Sequence, residues 1–283
     1  MCGVNECKFD LCEEQCVDLP FAYRCECRPP KVVDPKNPAS TSSVYWIDDN
    51  ETVGREFMNG TSIALRDIAM YDPDSIAVDE FSGNIYWTAK SRNAIMMSDS
   101  ENRFFKTVYR RGPGVLPYAL AIDSSHRTIF WSDVGKKPSL NRMAIISDDR
   151  GVDVILDSSL VRPTALAVDP FARRLYWLDQ ALNYIGFCNY DGTHRHVLGQ
   201  KLGRGLYGLD VFADFVYFSD FSKGTIERMN KYTGGNRSTV IAGLSHPKGI
   251  QVAHPEKWPK KSSGNPCESN NTCVQLCVPS NTR

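Results

Sequence analysis

Aspartates recur through the middle of this chain at fixed offsets from paired aromatic residues. The pairs are Tyr45-Trp46, Tyr86-Trp87, Phe130-Trp131, Tyr176-Trp177 and Tyr217-Phe218. Asp48, Asp133, Asp179 and Asp220 each stand two places after the second ring, and Ala89 breaks the rule in the second copy. Another series, Asp79, Asp123, Asp169 and Asp210, lies eight residues before the second ring of four pairs. Such carboxylates could be general acids, metal ligands or hydrogen-bond acceptors. Acid–base chemistry needs one asymmetric pair in unlike environments. A metal-dependent hydrolase needs a single converging carboxylate and amide set. An aspartate that returns once per unit at a matching position reads instead as a structural acceptor. No nucleophile elbow, His-Glu-x-x-His or phosphate-binding glycine loop is present.

The other reactive residues are ten cysteines, unevenly placed. Cys2, Cys7, Cys12, Cys16, Cys25 and Cys27 crowd the start, Cys267, Cys273 and Cys277 the end, and Cys188 stands alone. No histidine lies in either cluster, which argues against zinc and for disulfide frameworks made in an oxidising compartment. Sequons at Asn50, Asn59, Asn236 and Asn270 agree with secretion and mark candidate glycosylation sites. Met1 followed at once by Cys2 reads as the middle of a module, and so as part of something longer. Cys188 falls on an expected strand, where a buried inert thiol is the natural reading.

These residues must be positioned by a repeat. The aromatic pairs return at spacings of 41, 44, 46 and 41 residues. Before four of them runs a small apolar strand: 75–79, 119–123, 165–169 and 206–210. Short β-branched runs separated by Ser82-Gly83-Asn84 or Asp191-Gly192 are strands joined by hairpins. A period near 42 with several strands per unit means propeller blades. The small strand suits the crowded axis, and the rings of the second strand fill the wedge between blades. The fold class is therefore all-β, a propeller with five motif copies. The chain joins the repeat at Val44, in a second strand, and 247–252 is a first strand that could complete that blade. No run of eighteen apolar residues is present to span a bilayer.

Repeats of Tyr-Trp-x-Asp preceded by an Ala-Val-Asp strand resemble the YWTD propellers of the low-density-lipoprotein-receptor family. The resemblance covers about 44–255. It implies that Asp48, Asp133, Asp179 and Asp220 are inter-blade hydrogen-bond acceptors. It also implies an epidermal-growth-factor-like module over 1–43 and the start of another over 256–283. Family pairing would join Cys7 to Cys16, Cys12 to Cys25 and Cys267 to Cys277. Cys2 would close a preceding ligand-binding repeat. Glu6 and Asp18, with the carbonyls of Val4 and Leu19, would hold calcium. The family has six blades where five are counted here, and one deletion near 38–43 would explain both the lost blade and the module's lost cysteine.

Charge separates the loops. Lys+Arg and Asp+Glu balance at 33 each, so no global field points to nucleic acid. Loops joining strands two and three, and those joining strand four to the next blade, share one face. Lys90, Arg92, Lys136, Lys137 and Lys223 fall there, and Arg111, Arg162 and His246 approach it. Such a face suits a protein partner. The resemblance implies an endocytic receptor segment outside the cell or in the endosomal lumen, on a single-pass protein. Its partners would be lipoprotein, yolk-protein or other cargo and the receptor's own ligand-binding repeats, with release at acid pH. Of the five histidines, His246 is best placed for that switch, while His126, His194 and His196 belong to the opposite side. Alternatives are a growth-factor, Wnt-type or matrix-binding co-receptor and, remotely, a propeller lactonase. No enzyme activity is expected.

Overall fold

A computed structural model describes residues 73–99, 104–145, 151–252 and 257–259, together with the backbone of five strands before them. The chain divides into two compact units, Met1–Ala69 and Met70–Arg283. In the first, β1 (Cys16–Leu19) and β2 (Ala22–Cys25) form a hairpin that sets Cys16 opposite Cys25. Strands β3 (Ser43–Ile47), β4 (Val53–Phe57) and β5 (Ser62–Ala64) make a three-stranded antiparallel sheet, with the Tyr45-Trp46 pair on β3.

Among the described residues, the second unit holds four four-stranded antiparallel sheets, each built from strands consecutive in sequence. Blade one is β6 (Pro73–Val78), β7 (Ile85–Ala89), β8 (Ala94–Ser98) and β9 (Phe105–Arg110). Blade two is β10 (Pro117–Asp123), β11 (Thr128–Asp133), β12 (Ser139–Ala144) and β13 (Asp153–Leu156). Blade three is β14 (Pro163–Asp169), β15 (Arg174–Asp179), β16 (Tyr184–Asn189) and β17 (His196–Gln200). Blade four is β18 (Leu206–Phe212), β19 (Phe215–Asp220), β20 (Thr225–Asn230) and β21 (Ser238–Ile241). The first strands neighbour one another in the order β6, β10, β14, β18, so they line the axis. The second strand β7 is buried at every position and the outer strand β21 is exposed at every position.

Residue size explains the layering. Ala119, Ala121, Ala165 and Ala167 let the inner strands approach, and Trp87, Trp131 and Trp177, each 0% exposed, fill the widening wedge behind them. Burying one such ring stabilises by roughly 2–3 kcal/mol. Gly186 faces Trp177 across β15 and β16, where a Cβ would come within 2.6 Å of the indole.

Each inner strand carries a register shift near its start, between Pro73 and Ile76 and between Pro117 and Leu120, for example. A shift leaves a backbone N–H without a ladder partner. In blades one, two and four the hydroxyl residue between the aromatic pair and the motif position supplies it, whereas blade three has Leu178 there. Thr88 Oγ1 accepts from Ser75 N at 3.0 Å and donates to Tyr118 O of the next blade at 3.1 Å. Ser132 accepts from Ala119 N at 3.0 Å. Ser219 accepts from Gly208 N at 2.8 Å and donates to Lys248 O.

The first-strand aspartates latch one blade to the next. Asp79 Oδ2 pairs with Arg127 at 2.7 Å, Asp123 Oδ2 accepts from Tyr190 Oη at 2.7 Å, and Asp169 Oδ2 pairs with Lys231 Nζ at 2.7 Å. Asp210 does not belong to this series. It faces Tyr217 as Ala121 faces Phe130, because the β18–β19 hairpin closes earlier, on Phe212 and Phe215. Its carboxylate turns instead to the segment beyond blade four, taking Lys257 Nζ and Val252 N, each at 2.5 Å. Residues 247–252 form no regular strand, although they lie against β18 at Gly208.

Lys231→Met strands the buried Asp169 charge and is expected to cost about 3–5 kcal/mol, read as a drop in the urea midpoint. The double variant Lys231→Met/Asp169→Leu recovers most of that loss, since it removes the charge as well as its partner.

Candidate functional site

The motif aspartates organise one face of the blades. Asp133 Oδ1 accepts from Gly135 N at 2.7 Å and Leu116 N at 3.1 Å. Asp179 accepts from Val161 N at 2.8 Å and from Arg162 N and Leu182 N at 3.1 Å. Asp220 accepts from Ser222 N and Lys223 N at 3.0 Å. Each carboxylate thus closes its own loop between strands two and three, and in blades two and three it also holds the connection arriving from the preceding blade. These are buried acceptors of backbone N–H groups, and Asp220 also faces Lys223 Nζ at 3.2 Å. In blade one, Ala89 leads into a tight turn over Lys90–Arg92 that is closed by Asn93 in the left-handed region.

The connections so held form the mouth of the axis. Asp74, Tyr118, Thr164 and Tyr207 follow the first residue of β6, β10, β14 and β18 in matching register. Burial pushes the Tyr118 phenol up to about 12, with the Tyr207 phenol and the Asp74 carboxylate beside it acting in the same direction. Tyr207 is 39% exposed, and Lys248 is exposed on the segment beyond blade four.

The predicted cations divide by partner. Lys137 pairs with Asp157 at 2.6 Å. Lys223 lies 3.0 Å from Glu227 and 3.2 Å from Asp220, and its hydrogen bond to Glu227 raises its pKa despite partial burial. Lys90, Arg92 and Lys136 stand on the same face, and neither Lys90 nor Lys136 makes an ion pair among the described residues. Arg110, absent from the sequence-based set, joins Arg92 and Arg111 around a cleft of about 450 Å³. The Arg-Arg-Gly-Pro-Gly run at 110–114 was the available signal. His246 stacks on Phe221 with ring centroids 4.4 Å apart.

On the opposite face, His126 Nδ1 lies 2.8 Å from Asp123 Oδ2, and its Nε2 accepts from Arg173 Nε at 3.0 Å. It is thus His126, and not His246, that contacts a carboxylate. Burial works to raise the Asp123 pKa, but hydrogen bonds from Ser125, Tyr190 and His126 outweigh it and hold the carboxyl below its ordinary value. His194 contacts Asn189, and His196 lies over Phe187. Burial pushes the Cys188 thiol up to about 12, which keeps it protonated at neutral pH. Asn236 is exposed in the β20–β21 turn.

Asn50, Asn59 and Asn270 lie outside the described residues, as do Val4, Glu6 and the cysteines Cys7, Cys12, Cys267 and Cys277. Asp18, Leu19, Cys16 and Cys25 are described by backbone alone. Among the described residues, no group of three or more His, Cys, Asp or Glu side chains could hold a metal ion, and no helix is long and apolar enough to cross a membrane.

A group whose folded pKa is depressed contributes stability above its unfolded pKa and loses it as pH falls through the folded value. Tyr190→Phe removes a buried donor from Asp123, so about 1–3 kcal/mol is lost at neutral pH. Because the folded pKa of Asp123 then rises, acid destabilisation begins at higher pH than in the parent, measured as urea midpoints from neutral to acid pH.

No family model matches the chain. Human low-density lipoprotein receptor-related protein 5 is 29% identical over 243 residues, covering 83% of this chain and 15% of that protein. Vitellogenin receptor Yl of Drosophila melanogaster is 26% identical over 241 residues, covering 84% of this chain and 12% of that protein. The chain therefore spans only a small part of the length of these relatives. A chain of the nidogen/laminin complex superposes with a TM-score of 0.63 at 25% identity, over 71% of this chain and 79% of that one. Virginiamycin B lyase from Staphylococcus aureus superposes with a TM-score of 0.56 at 12% identity over 72% of each chain, a likeness of fold alone. With its four described blades, repeated aromatic pairs and receptor relatives, the chain resembles the low-density lipoprotein receptor-related family of YWTD β-propellers.

Proposed function

We propose that this chain is an extracellular ligand-binding segment of an endocytic receptor, engaging protein ligands through the face built by its two-to-three loops and blade connections. The observation that carries this reading is the contrast on that face. Every described motif aspartate accepts backbone N–H groups of the loops it closes, while aromatic and cationic side chains at the mouth and rim remain exposed. Tyr207 and Tyr118 offer amphipathic surface of the kind that anchors protein partners, and the exposed Lys248 adds positive charge on the segment packed against β18. The relatives carry receptor names, one of them that of a yolk-protein receptor. Lipoprotein or yolk-protein cargo and the receptor's own acidic ligand-binding repeats fit the chemistry of such a face. In this reading the chain binds and releases and makes no covalent bond. The nidogen/laminin likeness favours a matrix-binding segment as the second reading.

Surface plasmon resonance on secreted protein tests this with acidic ligand-binding repeats at neutral pH and at about pH 5.5. Tighter binding at acid pH is expected, with Tyr207→Ala/Lys248→Glu weakening it by about tenfold or more. Loss of the acid dependence in His246→Ala would assign the switch to that residue. Retention in His246→Ala with loss in His126→Ala would move it to the opposite face. No binding to the repeats, with binding to laminin-type matrix protein, would favour the second reading.

A further inference from the structure

The rim of blades one and two carries a basic strip made by three separate segments. The β8–β9 register sets Ala94 opposite Arg110, so the chain leaves β9 beside the Lys90–Asn93 turn. Arg110 and Arg111 then lead through Gly112-Pro113-Gly114 toward blade two. Gly114 has φ +97°, a conformation that costs glycine little. It receives Lys136 N on its carbonyl at 2.9 Å, while the Lys136 stem packs over its Cα. Lys90, Arg92, Arg110, Arg111 and Lys136 thus follow one another across two blades.

Lys90, Arg110, Arg111 and Lys136 make no ion pair among the described residues, although Lys137, Arg142, Lys223 and Arg237 all do. In a chain of formal net charge +0, this concentration of positive charge is local. The cleft between the segments is about 450 Å³ and is lined by Arg92, Asn93, Arg110, Arg111, Gly112 and Pro113. It offers no aromatic or long aliphatic anchor, which a folded protein partner ordinarily needs at the centre of its interface. It offers instead several guanidinium groups, whose planar fork matches tetrahedral and planar oxyanions in bidentate pairs.

We propose that this strip binds a linear sulfated polysaccharide, with sulfate groups seated between Arg92 and Arg110–Arg111 and the chain running on toward Lys136. An extended hydrophilic polyanion satisfies both the spacing of the cations and the absence of an apolar anchor. The strip shares its face with the proposed protein-binding site but uses different residues, because none of the cleft residues lines the Tyr118–Tyr207 position.

The probe is immobilised heparin, with secreted protein as analyte. The parent is expected to bind at about 0.15 M salt with affinity falling steeply as salt rises, as polyelectrolyte binding requires. Arg110→Ser/Arg111→Ser is expected to lose about tenfold or more in affinity and to lower the slope of log affinity against log salt by about two. Lys201→Ser/Arg204→Ser, on the corresponding connection two blades on, is expected to bind as the parent does. Arg110→Lys/Arg111→Lys keeps the charge and loses the fork, so intermediate binding is expected. Tryptophan-detected unfolding of every variant should match the parent, since Arg110 and Arg111 are exposed. Equal losses in the two serine pairs would reduce the strip to diffuse charge and overturn the proposal. Competition by polyglutamate as effective per charge as heparin would overturn it in favour of an acidic polypeptide. Failure of the parent to bind heparin would overturn it outright, and would leave binding of ligand-binding repeats at the mouth untouched.

Discussion

Nothing in a propeller joins one blade to the next by a strand ladder, so the described succession of four blades depends on what crosses the gaps between its sheets. Part of that is the wedge of rings and small inner-strand residues, which is non-directional and tolerates sliding. The directional part is a set of buried bonds to carboxylates on the inner strands. Arg127, Tyr190 and Lys231 reach back by one blade to Asp79, Asp123 and Asp169. Buried charges of this kind add little net stability compared with a well-packed apolar pair, but a missing partner is severely penalised. They therefore fix the rotation of each blade against its neighbour more than they deepen the fold.

Two further devices act at the same joints. The Thr or Ser between the aromatic pair and the motif position repairs the inner-strand register shift, and Thr88 and Ser219 also reach the next segment. Asp133 and Asp179 then clamp the connections arriving at blades two and three onto the loops of their own blades. One consequence is functional. With Asp133 and Asp179 bonded to backbone donors, the positive side chains of several connecting loops are left facing solvent, and a chain neutral overall presents a basic rim.

The neutralisation of individual cations varies around that rim. Lys223 is held by Glu227 and Asp220, and Lys137 by Asp157, so neither offers the free charge that its loop position suggests. Arg110 and Arg111 acquire their importance from the β8–β9 register and from the Gly114 conformation, which bring three loops side by side. The same contrast separates the histidines. His246 shares the basic face yet stacks on an aromatic ring, whereas His126 sits across a blade joint between a carboxylate and a guanidinium.

The period of the aromatic pairs and the small residues before them determined the blade as the unit, the order of its strands and the buried face of each, because periodicity and side-chain size act locally. The exception at Ala89 was visible too, and the structure answers it with a different turn. What the alignment of motifs could not fix was register. Asp210 matches its counterparts by counting, yet a shorter hairpin moves it to the position of an alanine and gives it a different partner. Nor could the linear chain say that Asp79, Asp123 and Asp169 would be met by a guanidinium, a phenol and an ammonium, since those donors arrive from the neighbouring blade at separations of 48, 67 and 62 residues. Tertiary structure decided which charges are spent and which are free, because pairing depends on distance in space and the sequence records only distance along the chain.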